Sequence, residues 1–201
     1  MTNSLKLSEL ESDLLAELFN IGVGRAAASL STMVNQEVKL SVPHVQFLTL
    51  EHLASKLGKN RKISCVSQKI DGTFSAESLL LFPEKGSLEI VKLMLGGQLP
   101  DEMIAELQEE AFSEVGNIVL NACIGAMSES MNDNFDVEIP KFEVNTPTEL
   151  LHTKDSDDLV LFIHIDLTLS QSDVTGYLAF LLSSISLKKL HHTLKRIISG
   201  I

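Results

Sequence analysis

The chain has 201 residues, 44% apolar and 21% charged, which suits one sizeable domain or two small ones sharing a core, so disorder is not the default. With 27 acids against 16 bases, a formal net charge of −11, one Tyr and no Trp, it lacks the clustered cations and stacking rings that nucleic acid requires. Apolar runs such as Leu79–Phe82 and Leu159–Ile163 are far too short to span a bilayer, so no membrane insertion is expected. The N-terminal stretch MTNSLKLSELESD is polar and acidic, without a signal-peptide pattern. Cys65 and Cys123 have none of the close spacing of a zinc site or a disulfide framework, so buried inert thiols and a cytoplasmic location are expected.

From Leu7 to about Met33 apolar residues recur at three and four, predicting an amphipathic helix whose inner surface draws on Leu7, Leu10, Leu14, Leu18 and Ile21. Residues 37–42 and 45–49 read as strands separated by a break at Pro43. Residues 62–70 and 73–82 flank Asp71-Gly72, the signal of a tight hairpin. Pro83 opens a helix to about Leu95, where Gly96-Gly97 stops it, and residues 97–100 read as a seam. Asp101, as N-cap, starts a second long helix to about Met131. A strand precedes Pro140. Strands follow near Leu159–Leu167 and Thr175–Leu182, joined by a longer loop over Thr168–Val174, and a last helix lies near Ile185–Ile198.

The chain is written twice. Glu17-Leu-Phe-Asn20-Ile21 leads to Pro43, and Glu114-Val-Gly-Asn117-Ile118 leads to Pro140, at a constant offset of 97 (114 − 17, 117 − 20, 140 − 43). Ser31 and Ser128 match at the same offset. Such self-similarity, with the order helix, four strands, helix used twice, predicts an α/β (α+β) fold. The expected domain is single, pseudo-two-fold and mostly antiparallel, built of two repeats at about 7–97 and 101–201.

At about 100° per residue, Asp13, Glu17 and Asn20 share one helix face, which continues through Gly24, Ala27, Ala28 and Ser31. Glu110, Glu114, Asn117 and Asn121 form the equivalent stripe. Gly22 and Gly24 each cost roughly 1 kcal/mol inside a helix, so close approach of another helix or of a partner must compensate. One mid-helix Asn means little, since it is a poor helix former on an ordinary solvated face. Two in corresponding places, each three residues after Glu, point to a task for the carboxamide. It carries both donor and acceptor and does not titrate, which suits holding a water molecule as a glutamine does in some phosphoryl-transfer enzymes.

The patterns Asp13-x3-Glu17-x2-Asn20-x22-Pro43 and Glu110-x3-Glu114-x2-Asn117-x22-Pro140 resemble the signature of the CheC/CheX/FliY chemotaxis phosphatases. The context is similar too: Asn20-Ile-Gly-Val-Gly-Arg-Ala-Ala, Asn117-Ile-Val-Leu, Leu79-Leu-Leu-Phe-Pro83 and a helix ending Leu95-Gly-Gly. Two motifs in one chain resemble the CheC-type branch; FliY-type proteins usually add a flagellar-switch domain, for which 201 residues leave no room. The resemblance implies hydrolysis of the aspartyl-phosphate of a CheY-like response regulator. Asn20 and Asn117 would orient the attacking water, and Glu17 and Glu114 would pair with the receiver's lysine. It implies no cofactor of the chain's own, the Mg²⁺ being supplied by the phosphorylated receiver, and it allows a CheD-type deamidase as a further partner. The family prefers Asp or Ser at the first motif position, so Glu110 is either tolerated or leaves the second site weaker.

Other candidates read less well. Gly22-Val-Gly24-Arg-Ala-Ala27 resembles a dinucleotide loop but sits inside a helix. His191-His192 reads as a solvated pair and Asp155–Asp158 as a turn rather than a calcium loop. Ser31 and Ser113 have no histidine base nearby in sequence. The rival from another class is a non-catalytic binding module or adaptor using the same helices; intact Glu and Asn in both copies favour the enzyme.

Overall fold

The computed structural model describes residues 7–97, 100–151, 159–169 and 172–200. The first helix, α1 (Glu9–Val34), starts from a capping box in which Ser8 accepts from the Glu11 N–H while the Glu11 carboxylate accepts from the Ser8 N–H. It ends at Asn35 in the left-handed conformation. The second long helix, α4 (Asp101–Met131), ends the same way at Asn132, again 97 positions on, so the repeat extends to the helix stop signal. Pro100 holds the N-cap position of α4 without a side-chain cap; Asp101, expected there, is the first helical residue.

The buried stripe of α1 is Leu15, Leu18, Phe19, Gly22, Val23, Ala26 and Leu30. Leu10 and Ile21, expected inside, are 62% and 43% exposed. The stripe is wider and rotated because the aromatic Phe19, packed against Phe180 at 5.5 Å, sets which side faces the sheet.

Between the long helices lie β1 (Lys39–Thr49), α2 (Leu50–Leu57), β2 (Ile63–Asp71), β3 (Ala76–Pro83) and α3 (Glu84–Met94). After α4 come β4 (Asp136–Val137), β5 (Lys141–Asn145), α5 (Pro147–Leu151), β6 (Leu159–Leu169), β7 (Ser172–Leu182) and α6 (Ser184–Ser199). All seven strands join one antiparallel sheet in the order β1-β6-β7-β3-β2-β4, with β5 also on β2. The β2–β3 and β6–β7 hairpins meet at its centre. Strand β1 of the first half borders the second hairpin, and β5 of the second half borders the first. The expected mixed α/β fold with antiparallel sheet and long helices is what forms.

Helices α1, α3, α4 and α6 cover one face over a core that includes Phe19, Val23, Phe82, Phe112, Leu120 and Phe180. The short helices α2 and α5 cover part of the other over Leu53, Leu57, Cys65, Leu81, Phe162 and Leu181. Neither short helix was expected. Both cysteines are buried, and burial pushes the Cys123 thiol up to about 12, as inert thiols require.

Three local expectations change. Pro43 does not divide two strands; β1 is continuous, with a bulge between Ser41 and His44. The Asp71-Gly72 pair does not make a two-residue turn, because the ladder stops at Ile70↔Ala76 and Thr73 bonds Asp133. Gly72 is required instead by a close approach, since a Cβ there would lie 2.8 Å from the Asn134 carbonyl oxygen. Finally, β6 and β7 pair as far as Leu169↔Ser172, so the longer loop over Thr168–Val174 is not formed. The Asp155–Asp158 stretch, and Gln98 and Leu99 of the seam, lie outside the described residues.

Candidate functional site

The Pro43 bulge explains the geometry of the first copy. Two residues, Val42 and Pro43, stand opposite Ile165, since Ser41 pairs with Asp166 and His44 with His164. Proline has no N–H to lose from the ladder, and β1 is an edge strand, where proline is tolerated. The N–H of Val42 turns instead toward α1 and donates to Asn20 Oδ1 at 3.1 Å. Asn20 Nδ2 donates to the Ala16 carbonyl at 2.9 Å. Together these bonds fix which way the amide points. Among the described residues they use one of the oxygen's two lone pairs and one of the two amide hydrogens, leaving a donor and an acceptor on an exposed side chain. Asp13, Glu17, Asn20 and Gly24 are all exposed on this face of α1, flanked by the exposed Leu10 and Ile21.

Gly22 and Gly24 separate by cause. A Cβ at Gly22 would lie 2.6 Å from Cys123 Cα, so α1 and α4 touch backbone to backbone there. A Cβ at Gly24 would meet nothing within 4 Å. Beside it, Arg25 joins α1 to α4 through two hydrogen bonds of 2.7 Å to Glu129, which hold the Glu129 carboxyl below the usual carboxylate range.

The second copy is built differently. Glu110 and Glu114 are exposed on α4, and Asn117 is half-buried. Asn117 Oδ1 accepts from Asn121 Nδ2 at 2.7 Å and from Gln68 Nε2 at 3.5 Å. Strand β4 ends at Val137, short of Pro140, and the Glu138 carbonyl accepts from Gln68 Nε2 at 3.4 Å. Among the described residues, the link from Asn117 to the segment before Pro140 therefore runs through Gln68. This residue escaped the sequence reading, although it left a signal. Gln68 shares a strand face with Val66 and Ile70, and a long amide between two apolar residues is the signal; it is 3% exposed with Oε1 unpartnered.

The matched serines are structural. Ser31 Oγ accepts from the Val38 N–H at 2.9 Å, and Ser128 Oγ donates to the Asp133 carbonyl, each tying a helix end to the chain that follows. His191 is not half of a solvated pair: its Nδ1 donates to Glu11 Oε1 at 2.9 Å, and only His192 is exposed. Burial raises the Glu11 carboxyl, but bonds from His191 and Ser8 outweigh it and hold the group below the usual range. A cavity of about 530 Å³ is lined by Lys69, Asp71, Glu77, Asp136, Glu138 and Leu181 among others, and by none of the four Glu and Asn residues. Among the described residues no three His, Cys, Asp or Glu gather to hold a metal ion, and no helix is long and apolar enough to cross a membrane.

No protein-family model matches the chain. It is 27% identical over 172 residues to the flagellar motor switch phosphatase FliY of Bacillus subtilis (strain 168), covering 84% of this chain and 44% of that protein. It is 22% identical over 129 residues to the CheY-P phosphatase CheC of the same organism, covering 61% of each. The chain is homologous to both proteins, in agreement with the resemblance of its doubled motif to the CheC/CheX/FliY signature. It thus spans less than two thirds of either of these relatives. Thermotoga maritima FliY has the same fold, with a TM-score of 0.79 at 20% identity over 95% of this chain and 98% of that one. So does the CheX–CheY–BeF3–Mg²⁺ complex from Borrelia burgdorferi, with a TM-score of 0.55 at 15% identity over 83% of this chain and 97% of that one.

Proposed function

We propose that the chain hydrolyses the aspartyl-phosphate of a CheY-like response regulator, through two sites carried by two repeats at about 7–97 and 101–201. The observation that carries the reading is the Asn20 carboxamide, pinned by the Val42 N–H and the Ala16 carbonyl with one donor and one acceptor left outward. Such a group can hold a water by both its hydrogen and its lone pair. The water oxygen bonds to phosphorus as the bond to the aspartyl oxygen breaks. The aspartate leaves as a carboxylate, and the water's proton passes to the released phosphate. Glu17, one turn away on the same exposed face, pairs with the receiver's lysine and fixes the pose. Mg²⁺ held by the receiver supplies charge neutralisation at the phosphoryl oxygens. Catalysis by positioning needs neither nucleophile nor pocket on this chain. The exposed Leu10 and Ile21 beside the site suit contact with a protein surface.

Asn117 and Glu114 play the same parts at the second copy, with Pro140 and Glu110 as supporting positions. The short bond from Asn121 to the Asn117 oxygen favours a second reading for that copy, as a docking surface or adaptor for the phosphorylated receiver or a CheD-type deamidase. Binding and turnover measured together on one phosphorylated receiver separate the readings. Faster phosphate loss at substoichiometric chain is expected; saturable binding with an unchanged rate of phosphate loss would leave only the module.

A further inference from the structure

The two asparagines differ in what occupies their oxygens. Asn20 Oδ1 takes one bond, from Val42. Asn117 Oδ1 takes a firm bond from Asn121 and a marginal one from Gln68, so its lone pairs are more occupied toward a water than those of Asn20. The two donors are unequal. Gln68 is buried and its bond, at 3.5 Å, is at the limit of a hydrogen bond. Asn121 is exposed and its bond, at 2.7 Å, is short. At the position of Asn121 the first copy has Gly24, with no side chain and open space around it.

We infer that Asn121 is a latch: a positioning residue that occupies the acceptor of Asn117 in the free protein and releases it when a docked partner offers the Asn121 amide a better acceptor. This rests on the reading of asparagine as the water-orienting group. The partner chemistry it selects is an oxyanion or carbonyl oxygen presented at the α4 face, and the phosphoryl group of the receiver supplies such an oxygen. The second site is then restrained until engaged, whereas the first stands open.

The experiment uses the whole chain in an Asn20→Ala background, which silences the first site. Asn121→Ala removes the amide while keeping a strong helix former at an exposed position, so the fold is retained. The latch predicts that kcat toward phosphorylated receiver rises about three- to tenfold, the effect of losing one hydrogen bond, with KM changed less than about twofold. The gain must vanish when Asn117→Ala is added. An unchanged or lower kcat would overturn the latch; a lower one would make Asn121 an aid to Asn117. A chain with Asn20 intact that never speeds phosphate loss would sink the phosphatase reading instead. In that case the side-chain amide resonances of Asn117 still decide the latch. A shift on Asn121→Ala is expected, and its absence overturns it.

Discussion

The backbone N–H of Val42 donates to Asn20 Oδ1 across a sequence separation of 22 residues, and the donor is free to do so because Pro43 follows it in a bulge. Helix and edge strand are thereby locked at the residue that the proposed mechanism needs oriented. An Asn20→Asp variant keeps the size and the bond from Val42 but sets an oxygen against the Ala16 carbonyl. We expect at least about a tenfold loss of receiver dephosphorylation at that site, with unfolding free energy changed by less than about 1 kcal/mol at this exposed position. Phosphate release and urea unfolding on one preparation check both halves.

The two glycines of α1 should respond oppositely. Gly22→Ala forces a methyl onto the Cys123 backbone, and overpacking of that kind costs about 1–3 kcal/mol. Gly24→Ala meets open space and should stabilise by up to about 1 kcal/mol, the helix propensity gain. If partner approach is the reason for Gly24, the stabilised variant will also turn over phosphorylated receiver more slowly. Urea midpoints for both, with receiver kinetics for the second, test this.

Glu11 links the start of α1 to α6 through His191 and should cost about 1–3 kcal/mol when replaced by Ala, since His191 would keep neither ring nitrogen partnered. Its carboxyl is held below the usual value in the folded chain, so the unfolded chain binds the extra proton as pH falls. The stability it contributes is therefore full above the ordinary carboxylate pKa and is lost as pH drops through the folded value. The gap in urea midpoint between wild type and Glu11→Ala should be clear at about pH 6 and shrink by about pH 3.5. A gap that grew toward acid would contradict the assignment.

Long periodic segments and the doubled motif were legible because the apolar spacing is local; the cap at Ser8 and the left-handed stops at Asn35 and Asn132 came only from the structure. What escaped depended on contacts between distant segments. The burial of Ile21 and Leu10 was misjudged because Phe19 and Phe180 choose the packed side. Helix α2 had a readable signal, with Thr49 as cap and Leu50, Leu53 and Leu57 at helical spacing, but it follows β1 without a break. Glu17, Asn20, Glu114 and Asn117 were singled out from the doubled spacing and the family resemblance, whereas Gln68 reaches Asn117 from a strand 49 residues away. Glu110 left the second site either tolerated or weaker; the structure adds a separate local difference, the Asn121–Asn117 bond where the first copy has Gly24.

In the proposed mechanism asparagine orients the hydrolytic water. The most direct measurement is the rate of phosphate loss from one phosphorylated receiver with wild type, Asn20→Ala, Asn117→Ala and the double variant at equal concentration. Wild type should accelerate phosphate loss, Asn20→Ala should lose more of that acceleration than Asn117→Ala, and the double variant should be no faster than the receiver alone. A double variant as fast as wild type would contradict this mechanism.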